Sequence, residues 1–173
     1  GPNIGMSGLL DLLAPSDNVL LLFGMSGSIP VFGGHRWWTV LSARGLHGNL
    51  LHIAFNILWI RQLAPAVGEL YGPGRMVVLY TLGCIVGFAL TSTVAATVGY
   101  IPYLGGAMYT VGASAPIFGL LGALVYYGRR TGSSVVHGQA MSMALGVFMF
   151  SLFMPNLHNM AHLGGFIGCY LGG

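Results

Sequence analysis

Residues 112–123, GASAPIFGLLGA, open a long apolar run with a serine and a proline between glycines. Proline has no N–H and is tolerated only in the first turn of a helix, so Pro116 predicts that a helix begins near Ser114. Ser114 then lies at a helix N-terminus, beside unpaired backbone N–H groups. A serine there can cap the helix or act as a nucleophile, and this segment alone favours the cap.

The composition of the whole chain predicts that this helix lies in a membrane. The chain has 173 residues, the length of one domain, and is 55% hydrophobic but only 5% charged. Soluble domains average about 25% charged residues. We therefore predict an all-α polytopic membrane protein, because the apolar runs lack the alternation of a β-barrel. The net charge of +3 is small and dispersed, so we expect no nucleic-acid partner.

Five apolar segments are predicted to be helices: 47–65, 76–98, 113–128, 139–155 and 160–173. Residues 1–35 are ambiguous and are interpreted as part of a span followed by a long loop. The last run covers only about 21 Å as a helix, short of a hydrocarbon core of about 30 Å. We therefore expect the last helix to be truncated.

The arginines predict an orientation. Arg61 and Arg75 bracket one loop and Arg129 and Arg130 lie in another, and the positive-inside rule makes these loops cytoplasmic. Ser114 then lies a few ångströms below the outer surface, where irregular backbone must face protein or water.

A histidine opens the last span on the same outer side, in Ala-His-Leu-Gly-Gly-Phe-Ile-Gly from Ala161. Small residues, which let membrane helices approach closely, recur every four positions in both helices: Gly164, Gly168 and Gly172 in one, and Ala115, Gly119 and Ala123 in the other. If these faces meet, Ser114 and His162 come within hydrogen-bonding reach. Serine with a histidine base is the minimal activated nucleophile.

No third catalytic acid is expected, since Asp11, Asp17 and Glu69 all lie outside the later spans. The prediction is a Ser–His dyad with weak control of the histidine tautomer, and hence a slow hydrolase. His158 and His162 stand four apart and could bind a metal, but no carboxylate or cysteine supports such a site. We expect no metal and no cofactor.

Two further polar residues, His52 and Asn56, share one face of a predicted spanning helix. Both can donate hydrogen bonds to an oxyanion, as a serine protease requires. The alternative is a polar contact between helices, worth about 0.6 kcal/mol per bond.

GASAPIFG, AHLGGFIG and the pattern His47, His52, Asn56 together resemble the rhomboid intramembrane serine proteases. The resemblance implies a six-helix bundle in one domain, 1–173. Residues 1–35 would hold a partial or missing first helix and the start of the long first loop, and 36–173 would hold helices 2–6. It also implies Ser114 as nucleophile, His162 as base, and His52 and Asn56 as oxyanion donors. Ala115 departs from the glycine that usually follows the serine.

The expected function is that of an intramembrane serine endopeptidase, which cleaves transmembrane segments of other membrane proteins. The alternative is a non-catalytic rhomboid-like module that binds transmembrane clients or a larger membrane complex. Transmembrane substrates and membrane lipids are the expected partners. We expect a multi-pass protein of a bacterial inner membrane, with its active site open to the extracytoplasmic side.

Overall fold

The computed structural model describes residues 14–99, 105–152 and 159–173. Short helices come first: α1 (Asp17–Phe23), a π-helical turn (Ile29–Gly33), α2 (Thr39–Ser42) and a 3-10 turn (Ala43–Gly45). Five longer helices follow: α3 (Leu50–Tyr71), α4 (Pro73–Thr97), α5 (Ser114–Thr131), α6 (Ser134–Leu152) and α7 (Asn159–Gly172). The prediction of an all-α fold is confirmed.

Two of the described helices, α3 and α4, are long and apolar enough to cross a membrane, and α6 contains the shorter apolar stretch Ser134–Met149. Each long helix has a local start signal. Asn49 caps α3 by accepting the His52 N–H at 2.8 Å, and α4 opens with Pro73 directly after Gly72, whose φ is 84°. The membrane-protein class predicted from composition is confirmed.

The central helix of the bundle is α5, which packs against α7, α4 and α6. Its side chains are buried from Ala115 through Val125 because neighbouring helices surround it. A helix that is apolar all round suits such a position. The helix begins at Ser114, as Pro116 predicted, and ends at Thr131, where the C-cap residue Gly132 has φ 72°.

Helices α4, α5 and α7 approach one another through glycines. A Cβ placed on Gly165 would lie 2.0 Å from the Ala115 oxygen, and one on Gly119 would lie 2.8 Å from Cys169 Sγ and 3.0 Å from Gly83 Cα. The predicted contact of α5 with α7 is present, but the row predicted on α7 is wrong. Gly164 and Gly168 face Gly87 and Val86 of α4 instead.

The predicted end of the first long helix is also wrong. Helix α3 continues through Pro65 to Tyr71, and Leu63 and Val67 on either side of the proline are buried in the core. Burial of this face offsets the backbone hydrogen bond that proline removes. Arg61 therefore lies within a helix, on an exposed face, and does not bracket a loop.

Residues 16–45 fold against the segment that precedes α5. Ser26 and Thr110 exchange backbone hydrogen bonds of 3.0 and 2.7 Å, and the Gly112 N–H donates to the Ala43 oxygen at 2.9 Å. Arg36 donates to the carbonyl of Leu21 in the last turn of α1, at 2.6 Å. This segment holds the N-terminal end of α5 in place.

The other end of α5 carries tyrosines and arginines. The Tyr71 hydroxyl donates to the Ala123 oxygen at 2.8 Å, and Arg129 donates to the Tyr170 hydroxyl at 2.6 Å. Because α5 has 18 residues, about 27 Å separate this end from Ser114. The Arg129–Arg130 pair and Ser114 thus lie at opposite ends of the bundle.

Candidate active site

Ser114 is the first residue of α5 and is half-buried. Its neighbours Ala113 and Ala115 are buried, and the first intrahelical bond runs from the Ile117 N–H to the Ala113 oxygen at 3.1 Å. The amides of Ser114 and Ala115 precede that bond, so the helix leaves them without an intrahelical acceptor. A hydroxyl and two backbone donors therefore lie together at a helix N-terminus.

His162 lies on α7, where it is only 3% exposed. Its ring stacks on Phe118, with centroids 4.5 Å apart and an interplanar angle of 12°. Phe118 is four residues after Ser114, so it lies on the same face of α5 one turn below the serine. The stack brings His162 against the face of α5 that carries Ser114.

A Ser–His dyad requires a hydrogen bond between Ser114 Oγ and His162 in the reacting complex. Catalytic hydrogen bonds are often long before substrate binds and tighten only in the reacting complex. The direct Ser114–His162 bond stays a prediction.

His52 lies over the backbone that leads into Ser114. A Cβ placed on Gly112 would be 2.6 Å from His52 Cε1 and 2.7 Å from Nε2, and Gly112 has φ +119°. Only glycine leaves room for the ring and adopts this φ without strain. His47 packs edge-on against His52 with centroids 5.2 Å apart, and burial lowers the pKa of His47.

Asn56 lies one turn further along α3 than His52 and is 5% exposed. Its Nδ2 donates to the His52 oxygen at 2.8 Å. A primary amide carries two N–H donors, so this bond uses one of them. The other is the donor that an oxyanion role would require.

Two residues that the sequence reasoning did not single out belong to this site. Phe118 stacks on His162, and Asn159 Oδ1 lies 3.2 Å from His162 Nδ1. Each lies one helical turn from a predicted catalytic residue, and that spacing was the available signal. His158, the other half of the alternative metal site, lies outside the described residues. Within those residues no group of three or more His, Cys, Asp or Glu side chains could hold a metal ion.

The fold and this arrangement define a helical membrane protein with a serine at a buried helix start and a histidine on the adjoining helix. The chain matches the rhomboid domain across residues 34–173, and it belongs to the rhomboid family. This is an integral membrane family whose proteases are serine proteases.

The chain is similar to proteins with different stated activities. It is 31% identical to "Rhomboid protease GluP" of Bacillus subtilis over 92% of this chain and 30% of that protein. It is 25% identical to "Rhomboid-like protease 3" of Toxoplasma gondii over 88% of this chain and 56% of that protein. It is also 26% identical to "Inactive RHOMBOID-like protein 8" of Arabidopsis thaliana, over 90% of this chain and 43% of that protein. The chain thus spans between about a third and just over half of the length of these relatives.

Proposed function

We propose that this protein is an intramembrane serine endopeptidase that cleaves transmembrane segments of other membrane proteins. Ser114 is the nucleophile and His162 is the general base. The observation that carries the proposal is the stacking of His162 on Phe118, one turn from Ser114 on the same face of α5. Membership of a family that contains proteases supports it.

The reaction begins with attack of Ser114 Oγ on a substrate carbonyl carbon while His162 takes the hydroxyl proton. The charge that develops on the carbonyl oxygen is met by the Ser114 backbone N–H and by side-chain donors of His52 and Asn56. His162 then gives its proton to the leaving amine, and water hydrolyses the acyl-enzyme.

The site opens to the extracytoplasmic side in this proposal. Arg129 and Arg130 lie at the end of α5 opposite to Ser114, and Arg75 lies in the first turn of α4. The positive-inside rule assigns those residues to the cytoplasm. Water for the second step then enters from the outer surface. A bacterial inner membrane is the proposed location.

The experiment is cleavage of a model transmembrane substrate by reconstituted wild type, Ser114→Ala and His162→Ala. Both variants should lose cleavage, and the double variant should lose no more than either one, because nucleophile and base act as a unit. Thermal unfolding should stay cooperative in all of them. Substantial turnover in either single variant would contradict the assignment.

A non-catalytic module that binds transmembrane clients is the second candidate, and the similarity to a relative named as inactive favours it. A fluorophosphonate probe separates the two candidates. It labels an activated serine, so wild type should be labelled and Ser114→Ala should not. Absence of labelling in folded wild type, together with co-purification of uncleaved clients, would favour the binding module.

A further inference from the structure

The second ring nitrogen of His162 lies against an acceptor on its own helix. Asn159 Oδ1 is 3.2 Å from His162 Nδ1, three residues earlier in α7. The stack on Phe118 fixes the plane of the imidazole, so this contact is made in a defined direction. An amide oxygen can only accept, so a hydrogen bond between these two atoms requires the ring proton on Nδ1.

The acceptor is itself fixed by a second helix. Asn159 is 1% exposed, and the hydroxyl of Ser151, near the end of α6, hydrogen-bonds to the same Oδ1. Ser151 is 2% exposed, and its single hydroxyl proton is shared between Asn159 Oδ1 and the Phe148 oxygen, which lies 2.6 Å away in the same helix as Ser151. The chain Ser151–Asn159–His162 therefore links the ends of α6 and α7 through buried polar atoms.

We propose that Asn159 is a positioning residue that holds His162 in the tautomer with its proton on Nδ1. The Nε2 lone pair then remains available to take the proton of Ser114. In a serine protease triad a buried carboxylate does this work, and loss of the correct tautomer lowers kcat by about 10⁴. Of the described acids, Asp17 lies in α1 and Glu69 lies near the C-terminal end of α3. A neutral amide oxygen does in this chain what an acid does there.

The orientation of the Asn159 amide decides the tautomer. With Oδ1 toward the ring, the proton lies on Nδ1. With the amide reversed, Nδ2 would donate to Nδ1, and the ring proton would move to Nε2, where it would block base catalysis. The two orientations therefore predict opposite protonation of one imidazole, and this difference is measurable without any proteolysis.

The first test is ¹⁵N NMR of the full chain labelled at histidine, in detergent micelles, with His162→Gln used to assign the signal. Nδ1 should be the protonated nitrogen in wild type and in Asn159→Asp, which keeps an oxygen at the same place. In Asn159→Leu, which has a similar size and no acceptor, the proton should shift largely to Nε2. An Nε2–H tautomer in wild type, or no change in Asn159→Leu, would overturn the proposal.

The second test is kinetic, and it rests on the proposed function. Asn159→Leu should lower kcat about 10²-fold with KM unchanged, within the limit of about 10⁴ set by a triad carboxylate. Asn159→Asp should retain most of kcat at alkaline pH, where the imidazole beside the new carboxylate is neutral. Ser92→Ala, which removes a different fully buried hydroxyl, is the control and should leave kcat unchanged.

The outcomes separate the two proposals. If wild type cleaves no substrate but shows the Nδ1–H tautomer that Asn159→Leu loses, the proposed protease function fails and the positioning role holds. If wild type cleaves and Asn159→Leu keeps both its tautomer and its kcat, the positioning role fails and the protease function holds. If Asn159→Leu does not fold, the positioning role of Asn159 is judged from the His162 tautomer in wild type and from the kcat of Asn159→Asp.

Discussion

Replacing Gly165 with alanine should move α7 away from α5. A Cβ on Gly165 would lie 2.0 Å from the Ala115 oxygen and 2.8 Å from the Ala115 carbonyl carbon. Both neighbours are backbone atoms, so no rotamer change can relieve the contact. Ordinary van der Waals contact begins at 3.4 Å, so the two backbones must separate by about 1.4 Å.

This separation should affect stability and activity together. Overpacking of a well-packed core costs about 1–3 kcal/mol, and we expect a loss of unfolding free energy in that range. Ala115 follows Ser114, and Gly165 is three residues from His162, so the same displacement moves the proposed nucleophile away from the proposed base. A misplacement of about 1 Å can lower the rate about 10²-fold, which is the decrease in kcat we expect.

The matched control is Gly146→Ala on α6, where a Cβ meets nothing within 4 Å. It makes the same chemical change in a helix and should be neutral or stabilising by up to about 1 kcal/mol, because alanine has the higher helix propensity. The assays are thermal unfolding in detergent and kcat on a transmembrane substrate. If Gly165→Ala unfolds and cleaves as wild type does, the close approach of α5 and α7 is not what positions the site.

Three other predictions concern the oxyanion donor, pH and the substrate. Asn56→Ala should lower kcat by about 10²–10³, the usual effect of one oxyanion donor, and an unchanged kcat would mean that Asn56 serves only its bond to the His52 oxygen. Burial lowers the pKa of His47 from 6.5, so the unfolded chain takes up a proton at a higher pH than the folded protein does. The free energy of unfolding should therefore fall as the pH drops below 6.5. His47→Phe should weaken this pH dependence, which thermal unfolding at a series of pH values measures. If the variant loses stability with falling pH as steeply as wild type does, His47 is not the cause. In the proposed reaction a substrate helix must unwind before Ser114 can reach a backbone carbonyl. Glycine and proline weaken helices by about 1 and 3 kcal/mol relative to alanine in soluble hosts. Replacing the substrate's glycines and prolines near the cleavage site with leucine should therefore slow cleavage. Equal cleavage of the stiffened helix would show that unwinding does not select substrates.

Composition and one proline are enough to predict the class of the protein and the start of its central helix. The membrane-protein class follows from composition, because a chain with 5% charged residues has too few charged side chains to cover the surface of a soluble domain. The start of α5 follows from a local rule, because Pro116 costs a helix no hydrogen bond when it lies in the first turn. Both conclusions depend only on which residues the chain contains and on their local backbone chemistry, so they can be reached without knowing the tertiary contacts.

The way the helices face one another could be seen only in the packed bundle. The spacing of four among small residues is the same in the Gly164 row and in the row through Gly165, but burial against α5 selects Gly165. The end of α3 could not be predicted from Pro65, because the gain that carries the helix past it comes from Leu63 and Val67 in the core. Asn159 became a candidate only when its oxygen was found beside His162 and Ser151. Rotation and axial shift between helices are set by packing of all their faces at once, and no single segment encodes them.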